Sequence, residues 1–203
     1  MNVSQIYLRE VATGKAVPAS LCDEITDEHL EMWDRTWRPV FDAHCQGLPP
    51  DANKEDFKWN WKGNATIWRS GAEFNSFAVV CDGALQGLMV TNNVIRARLT
   101  APAKKHLIYV ELLATAPWNR PNVQSPPRYR FTGWILILAA IELSLEMEFR
   151  GRIGLHSLPW AEPFYRDKCE MTPVERDADH NNMMYFEMTE KQAEAFRQKR
   201  MKP

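Results

Sequence analysis

The chain carries almost no net charge: 25 Lys and Arg stand against 26 Asp and Glu in 203 residues, which leaves −1. No overall positive field draws it to nucleic acid or to an anionic membrane surface, so a nucleic-acid partner is not favoured. Cysteine is scarce as well. Cys22, Cys45, Cys81 and Cys169 are widely separated and make no Cys-x-x-Cys pair, which argues against both a zinc site and a disulfide framework and in favour of reduced thiols in a cytoplasmic protein. His29, His44 and Cys45 lie near one another without a recognisable fourth ligand, and no metal is expected. Long apolar runs are missing too. Ile135 to Ile141 is free of charge, but Glu142, Glu146 and Glu148 follow it, well short of the roughly 20 apolar residues a membrane span needs. The segment from Met1 to Glu10 alternates polar and apolar residues and lacks the charged start and apolar core of a signal peptide. No internal repeat or linker-like tract is visible, so residues 1–203 are expected to form a single domain.

With 45% hydrophobic residues the chain can bury one full core. Thr26 has the chemistry of a helix N-cap, with Ile25 and Leu30 placed as a hydrophobic staple; Leu30, Trp33, Trp37, Val40 and Phe41 follow helical spacing. This predicts a first amphipathic helix, bent near Pro39. Residues 48–70 show no clear period and read as a loop with at most a short helix. Phe74 to Val80 and Ala84 to Val90 flank Asp82-Gly83, a pair suited to the positive φ angles of a tight hairpin. His106 to Thr115 is apolar on both faces, which predicts a central strand stopped by Pro117. Gly133 opens an apolar helix to Phe149, with Gly151 as its stop, and Arg152 to Leu158 is a further strand. Trp160 to Lys168 reads as a short helix and Met183 to Met188 as a late strand. The last helix starts at Thr189, whose spacing to Gln192 matches a capping box.

The run from strand 106–115 through helix 133–149 to strand 152–158 is a β-α-β unit in which a loop feeds a helix N-terminus. Such a terminus offers unpaired N–H groups and a partial positive charge, which together suit a phosphate. Arg128 and Arg130 stand immediately before Gly133. Alone, that short pattern is equally that of surface arginines ahead of an ordinary helix start.

Four pieces in order carry more weight. They are Leu113-Ala114-Thr115-Ala116-Pro117, Arg130-Phe131-Thr132-Gly133, Leu155-His156-Ser157-Leu158-Pro159 and Ala161-Glu162-Pro163-Phe164-Tyr165. With them the chain resembles the GCN5-related N-acetyltransferase (GNAT) family, over roughly residues 74 to 196. The resemblance implies an α/β fold with a mixed, mostly antiparallel central sheet flanked by helices. It implies a cofactor-binding core at about 106–170 and acceptor-side helices at about 26–70. The implied cofactor is acetyl-CoA. Its pantetheine arm would pair with the strand at Leu113, Ala114 and Thr115, and its pyrophosphate would lie on Arg128, Arg130, Phe131, Thr132, Gly133, Trp134 and Ile135. Phe164-Tyr165 resembles the family's Phe-Tyr pair, whose tyrosine lies near the thioester sulfur. The sequence departs from the family where it has Ile135 in place of a second small residue, a longer Pro117 to Pro127 connection, and Cys169-Glu170 for the usual Gly-Phe.

On that scaffold the chemistry is direct acyl transfer from a thioester to an amine of a small molecule or protein, with a homodimer left open. Glu111 lies on the same strand face as Leu113 and is the candidate general base; partial burial would raise its pKa. The competing reading is a strand carboxylate that satisfies a neighbouring group. Tyr165 is the candidate general acid, since a phenol can protonate a thiolate of similar basicity; otherwise its ring simply packs beside Phe164. His156 is a base or acceptor-binding group, or more simply a structural histidine. Trp33, Trp37, Trp59, Trp61 and Trp68 either wall an acceptor pocket or, as favoured, bury their rings against the sheet. Glu175, Asp177 and Asp179 read as a solvated loop that could also attract a cation. The alternative to an enzyme is a non-catalytic acyl-CoA-sensing or partner-binding module; a toxin acylating charged transfer RNA would need a localised basic surface.

Overall fold

A computed structural model of the chain describes residues 1–48, 57, 59–99 and 104–199. The chain divides into two compact units, Met1–Met89 with Leu113–Leu136, and Val90–Leu112 with Ile137–Lys202. Three elements contribute residues to both: strands β4 (Ala84–Asn92) and β5 (Ile108–Thr115) and helix α4 (Thr132–Glu146). The fold is the expected mixed, mostly antiparallel sheet with helices. Among the described residues nine strands follow the order β6 (Tyr129–Arg130), β1 (Val3–Glu10), β2 (Ala16–Cys22), β3 (Phe74–Cys81), β4, β5, β7 (Ile153–Ser157), β9 (Met183–Met188), β8 (Thr172–Asp177). The pairs β1–β2, β1–β6, β2–β3, β7–β9 and β8–β9 are antiparallel, whereas β5 and β7 pair in parallel.

In the first unit, β1 (Val3–Glu10) and β2 (Ala16–Cys22) form a hairpin that the sequence reading did not assign. Its alternation is weak because β1 lies near the sheet edge, with Leu8 its one fully buried residue. Thr26 caps α1 (Asp27–Met32) through a capping box closed by His29. The predicted bend sits one turn earlier than Pro39. Trp33–Trp37 winds as a π-helical turn in which Arg38 N–H donates to the Trp33 carbonyl, before α2 (Arg38–Gln46) resumes with Pro39 in its first turn. Pro39 has no N–H and its ring crowds the carbonyl four residues back, so the wider turn absorbs the misfit.

Leu30, Trp33, Trp37 and Phe41 are buried as expected, while Val40 is exposed. The 48–70 region is more ordered than the loop expected there, since Trp61–Ser70 forms α3, capped by Asn60 and burying Trp61, Ala65 and Trp68 at helical spacing. The part of the 48–70 prediction at residues 49–56 and 58 lies outside the described residues. Four of the five clustered tryptophans are therefore core residues, with Trp59 half-buried. Strand β3 (Phe74–Cys81) joins β4 through Asp82 and Gly83 at φ 52° and 68°, the tight hairpin read from the sequence.

In the second unit, Ile108, Tyr109 and Val110 of β5 are buried on both faces, and Glu111 is then exposed. Helix α4 begins at Thr132 and ends at Glu146, three residues before the predicted Phe149. Glu148 and Arg150 both take positive φ on the way to Gly151 at 79°. Strand β7 (Ile153–Ser157) follows, then a π-helical turn over Phe164–Lys168 where a short helix was expected. Residues read as a solvated acidic loop instead begin in an edge strand, β8 (Thr172–Asp177), which pairs with β9 (Met183–Met188). Helix α5 (Glu190–Gln198) carries the predicted Thr189–Gln192 capping box. Arg197, expected in a solvated basic tail, holds Glu142 at 2.7 Å, and the tail beyond residue 199 lies outside the described residues. Among the described residues no helix is long and apolar enough to cross a membrane.

The start of α4 rests on Gly87 of β4. A Cβ there would come 2.7 Å from Thr132 Cγ2 and 3.0 Å from Leu136 Cδ1. Gly87→Ala should therefore cost about 1–3 kcal/mol through overpacking, read as a lower urea midpoint. An unchanged midpoint would show that the helix is not seated this closely.

Candidate functional site

In the first unit, the chain after β5 is pinned before α4 can begin. Gln86 is fully buried; its side-chain oxygen accepts from Trp118 Nε1 at 2.9 Å and Asn119 Nδ2 at 3.0 Å, and its carbonyl accepts from Ala116 N–H at 2.9 Å. Asn119 Oδ1 takes the Tyr129 N–H at 2.9 Å, and Arg120 Nε reaches the Thr115 carbonyl at 2.9 Å while its guanidinium lies over the Phe41 ring. The Pro-rich connection is thus a folded strap, tied by polar groups that burial would penalise if unpaired. It ends in β6 (Tyr129–Arg130), which pairs with Arg9 and Glu10 of β1.

Phe131 follows at φ 79°, an uncommon conformation for a bulky residue, and α4 starts at once. Ile135 N–H donates to the Phe131 carbonyl at 2.9 Å. The helix proper leaves the N–H groups of its first turn without acceptors inside it. Thr132 is 3% exposed, and its Oγ1 is a buried polar atom with no hydrogen-bond partner.

The predicted cofactor residues therefore gather in this unit. Leu113 and Thr115 are half-buried and Ala114 is buried on the tail of β5. Arg130 is exposed; Arg128 lies over the Tyr129 ring and 3.6 Å from Asp82. Gly133 and Trp134 are half-buried. Ile135 is different, since its N–H is spent inside the helix and its side chain is 3% exposed in the core. Its branched side chain faces protein instead of crowding the helix start.

In the second unit, alternation places Tyr109 and Glu111 on one face of β5. Parallel pairing of Tyr109 with Gly154 brings His156 of β7 to that same face. Glu111 Oε1 accepts from Asn92 Nδ2 at 3.0 Å. Desolvation raises the Glu111 pKa, opposed by the Asn92 hydrogen bond and the nearby His180 ring. The direction is the one a base for an ammonium group needs.

His156 sits in a network that sequence reasoning did not foresee. Its Nδ1 is 2.6 Å from the Tyr109 hydroxyl and its Nε2 is 3.0 Å from Asp177 Oδ2, which also meets Arg98 Nη1 at 2.6 Å. The Arg98 guanidinium first, and the two histidines after it, hold the Asp177 carboxyl well below the usual range, so it is an anion. Burial, and then the neighbouring His180, push the His156 pKa down, so its imidazole is neutral. A neutral ring that gives Nε2–H to a carboxylate must accept at Nδ1, which assigns the Tyr109 hydroxyl as donor.

The His156 side chain is 3% exposed, so it orients Tyr109 and does not itself meet solvent. Nothing in the sequence pairs residues 98, 109, 156 and 177; only the register does. Asp177 leaves its loop role for this one, and Glu187, buried on β9 across from Thr172, accepts the backbone N–H groups of Arg98 and Leu99. Tyr165 is 7% exposed, its ring centroid 5.2 Å from Phe164 and 6.1 Å from Phe186.

His156, Asp177 and His180 offer the one donor set among the described residues whose atoms lie close enough for a metal ion. The two imidazoles stack with planes 4° apart and centroids 3.8 Å apart. Parallel rings aim their lone pairs side by side, whereas a metal needs them to converge in-plane at about 2.0–2.1 Å. Asp177 Oδ2 is already met by Arg98 at 2.6 Å, by His156 at 3.0 Å and by His180 at 3.2 Å.

No protein-family model and no curated protein matches the chain. Solved structures do. FeeM, an N-acyl amino acid synthase from uncultured soil microbes, aligns with TM-score 0.56 and 12% identity over 87% of this chain and 93% of its own. The PaiA N-acetyltransferase of Thermoplasma acidophilum in complex with coenzyme A aligns with TM-score 0.52 and 13% identity over 84% and 98%. The GNAT domain of PAT from S. lividans aligns with TM-score 0.51 and 11% identity over 92% and 96%. The chain has the GNAT fold.

The His156 assignment fixes a pH dependence. Its folded-state pKa lies below the ordinary value of about 6.5, so the unfolded chain binds more protons as pH falls through that value. Its contribution is fully present above that value and is lost towards the folded pKa, while Asp177 stays ionised in both states. Urea unfolding should show stability declining from about pH 7.5 to 5.5, and His156→Gln should flatten the slope. His29, also lowered by burial, contributes in the same direction. An unchanged slope in the variant would contradict a neutral, buried imidazole.

Proposed function

We propose that the protein is an acyl-CoA-dependent N-acyltransferase, with acetyl-CoA as donor and an amine of a small molecule or protein as acceptor. One observation carries the reading: the first turn of α4 combines main-chain N–H groups with a buried, unpartnered Thr132 hydroxyl, directly after two arginines. That donor set fits a diphosphate, which accepts several hydrogen bonds and favours a helix N-terminus. The likeness to the PaiA acetyltransferase, itself solved with coenzyme A, supports the same reading.

In this scheme Thr132, Gly133 and Trp134 meet the diphosphate through backbone and side chain, and Arg128 and Arg130 add charge. Leu113, Ala114 and Thr115 offer a strand edge to the amide groups of the pantetheine arm. Bound acyl-CoA would supply a thioester carbonyl for the amine to attack and a thiolate to be protonated. Glu111, held by Asn92, takes the proton of the acceptor ammonium. Tyr165 gives a proton to the leaving sulfur. No covalent intermediate on the protein is invoked: Cys169 is buried and burial pushes its thiol pKa upward, away from the reactive thiolate. We place the protein in the cytoplasm, with residues 1–203 acting as one acyl-CoA-binding domain.

Burial of Tyr165 favours one alternative, an acyl-CoA-sensing or partner-binding module in which that ring only packs. Acetyl-CoA at 100 times its Kd should raise stability by about 2.7 kcal/mol, and free thiol should appear with at least one amine of a broad panel. A melting shift without thiol release across the panel would favour sensing; no shift at all would remove both readings. In a second test, Tyr165→Phe should lower kcat by about 10²-fold or more with little change in coenzyme A affinity. Unimpaired turnover would end its assignment as the acid, and Glu111→Gln should show the same kcat-weighted loss.

A further inference from the structure

Arg9 and Arg130 face each other across the β1–β6 pair. Directly opposed residues of an antiparallel pair project from the same face with Cβ atoms about 4.5–5.5 Å apart. Two guanidinium groups so placed repel, and such positions in a strand pair are ordinarily filled by opposite charges. Here no carboxylate relieves them. Among the described residues neither side chain makes a hydrogen bond or ion pair. Glu10, the acidic residue nearest in sequence, alternates to the other face and accepts from the Thr13 hydroxyl at 2.7 Å. Arg128, by contrast, is occupied with Asp82 and the Tyr129 ring.

The pair also lies where a ligand would end. Arg130 is two residues before Thr132, and β6 is only two residues long, held against β1 by this pairing and by the Val11 N–H to Arg128 carbonyl bond at 2.9 Å. In that short strand Tyr129 is the packing residue: its side chain is buried and its hydroxyl donates to Asp82 at 2.6 Å. Its other residue, Arg130, is exposed. A phosphomonoester dianion would neutralise both guanidiniums at once and accept bidentate hydrogen bonds from each.

We infer that Arg9 and Arg130 together form a binding site for a phosphomonoester, and that its ligand is the 3′-phosphate of coenzyme A. The inference rests on the coenzyme A reading and adds to it a residue, Arg9, from the opposite end of the chain. It makes the protein selective for coenzyme A over nucleotides that carry the diphosphate but lack the 3′-phosphate.

Isothermal titration with coenzyme A and with 3′-dephospho-coenzyme A tests it on the intact chain. The wild-type protein should bind coenzyme A about 10- to 100-fold more tightly, the range for one or two charged hydrogen bonds. The ratio should shrink as salt is raised. Arg9→Gln should weaken coenzyme A by about 10-fold and leave 3′-dephospho-coenzyme A within twofold, while Arg9→Lys keeps part of the preference. Thermal melts of each variant without ligand separate loss of folding from loss of binding. Equal affinity of the wild type for the two ligands overturns this site while leaving the coenzyme A reading intact. Arg9→Gln weakening both ligands alike also overturns it, since the arginine would then serve the diphosphate or the fold. Failure of the folded wild type to bind either one overturns this inference and the reading beneath it.

Discussion

The register between β5 and β7 runs through three residue pairs and ends at Val110 and Leu155, yet β5 continues to Thr115. Main-chain N–H and C=O groups are obligatory hydrogen-bonding groups, so a strand that runs on past its paired register, while β7 stays paired with β9 to Ser157, needs something else along that edge. In the proposed function this need is met by an extended ligand arm with amide groups of its own. Side chains around the end of the register are arranged accordingly. Before it, Tyr109 and Val110 are buried; immediately after it, Glu111 is exposed with a raised pKa and an amide to orient it.

Two polar hubs keep their own units in shape, and both depend on being fully paired. Gln86 holds the strap between β5 and α4 by accepting from Trp118 and Asn119 and by donating to the Ala84 carbonyl at 3.1 Å. Asp177 gathers Arg98 and His156, and through His156 reaches Tyr109. A buried polar group stripped of its partner costs about 1–3 kcal/mol, more if charged, so each hub specifies one arrangement of the segments around it. The first sets where α4 begins and hence where its opening amides point. The second ties β8 to β7 on the face that carries Glu111.

Local chemistry explains which parts of this were legible in sequence. Asp82-Gly83 has the conformational freedom of its turn written into it, Thr26 and Thr189 carry their own caps, and the apolar run of α4 needs no tertiary context. Elements near the sheet edges were not legible, because a strand buried on one side or less leaves a faint alternation: β1, β2 and β8 were missed for that reason. Helix α3 hid behind Gly63, although Trp61, Ala65 and Trp68 keep helical spacing. The π-helical turn at Trp33–Trp37 displaced the bend from the proline that causes it. At the candidate site, the segment 128–135 could be read from its arginines and glycine. The Tyr109–His156–Asp177–Arg98 chain could not, since it exists only once β5, β7 and β8 are in register.

The central claim is that the amides opening α4 receive a diphosphate. A crystal structure with coenzyme A bound tests it most directly. The account predicts diphosphate oxygens within about 2.7–3.2 Å of main-chain N–H groups of the first turn and of Thr132 Oγ1. Coenzyme A ordered elsewhere on the protein, with those amides and that hydroxyl bonded to protein groups instead, would contradict it.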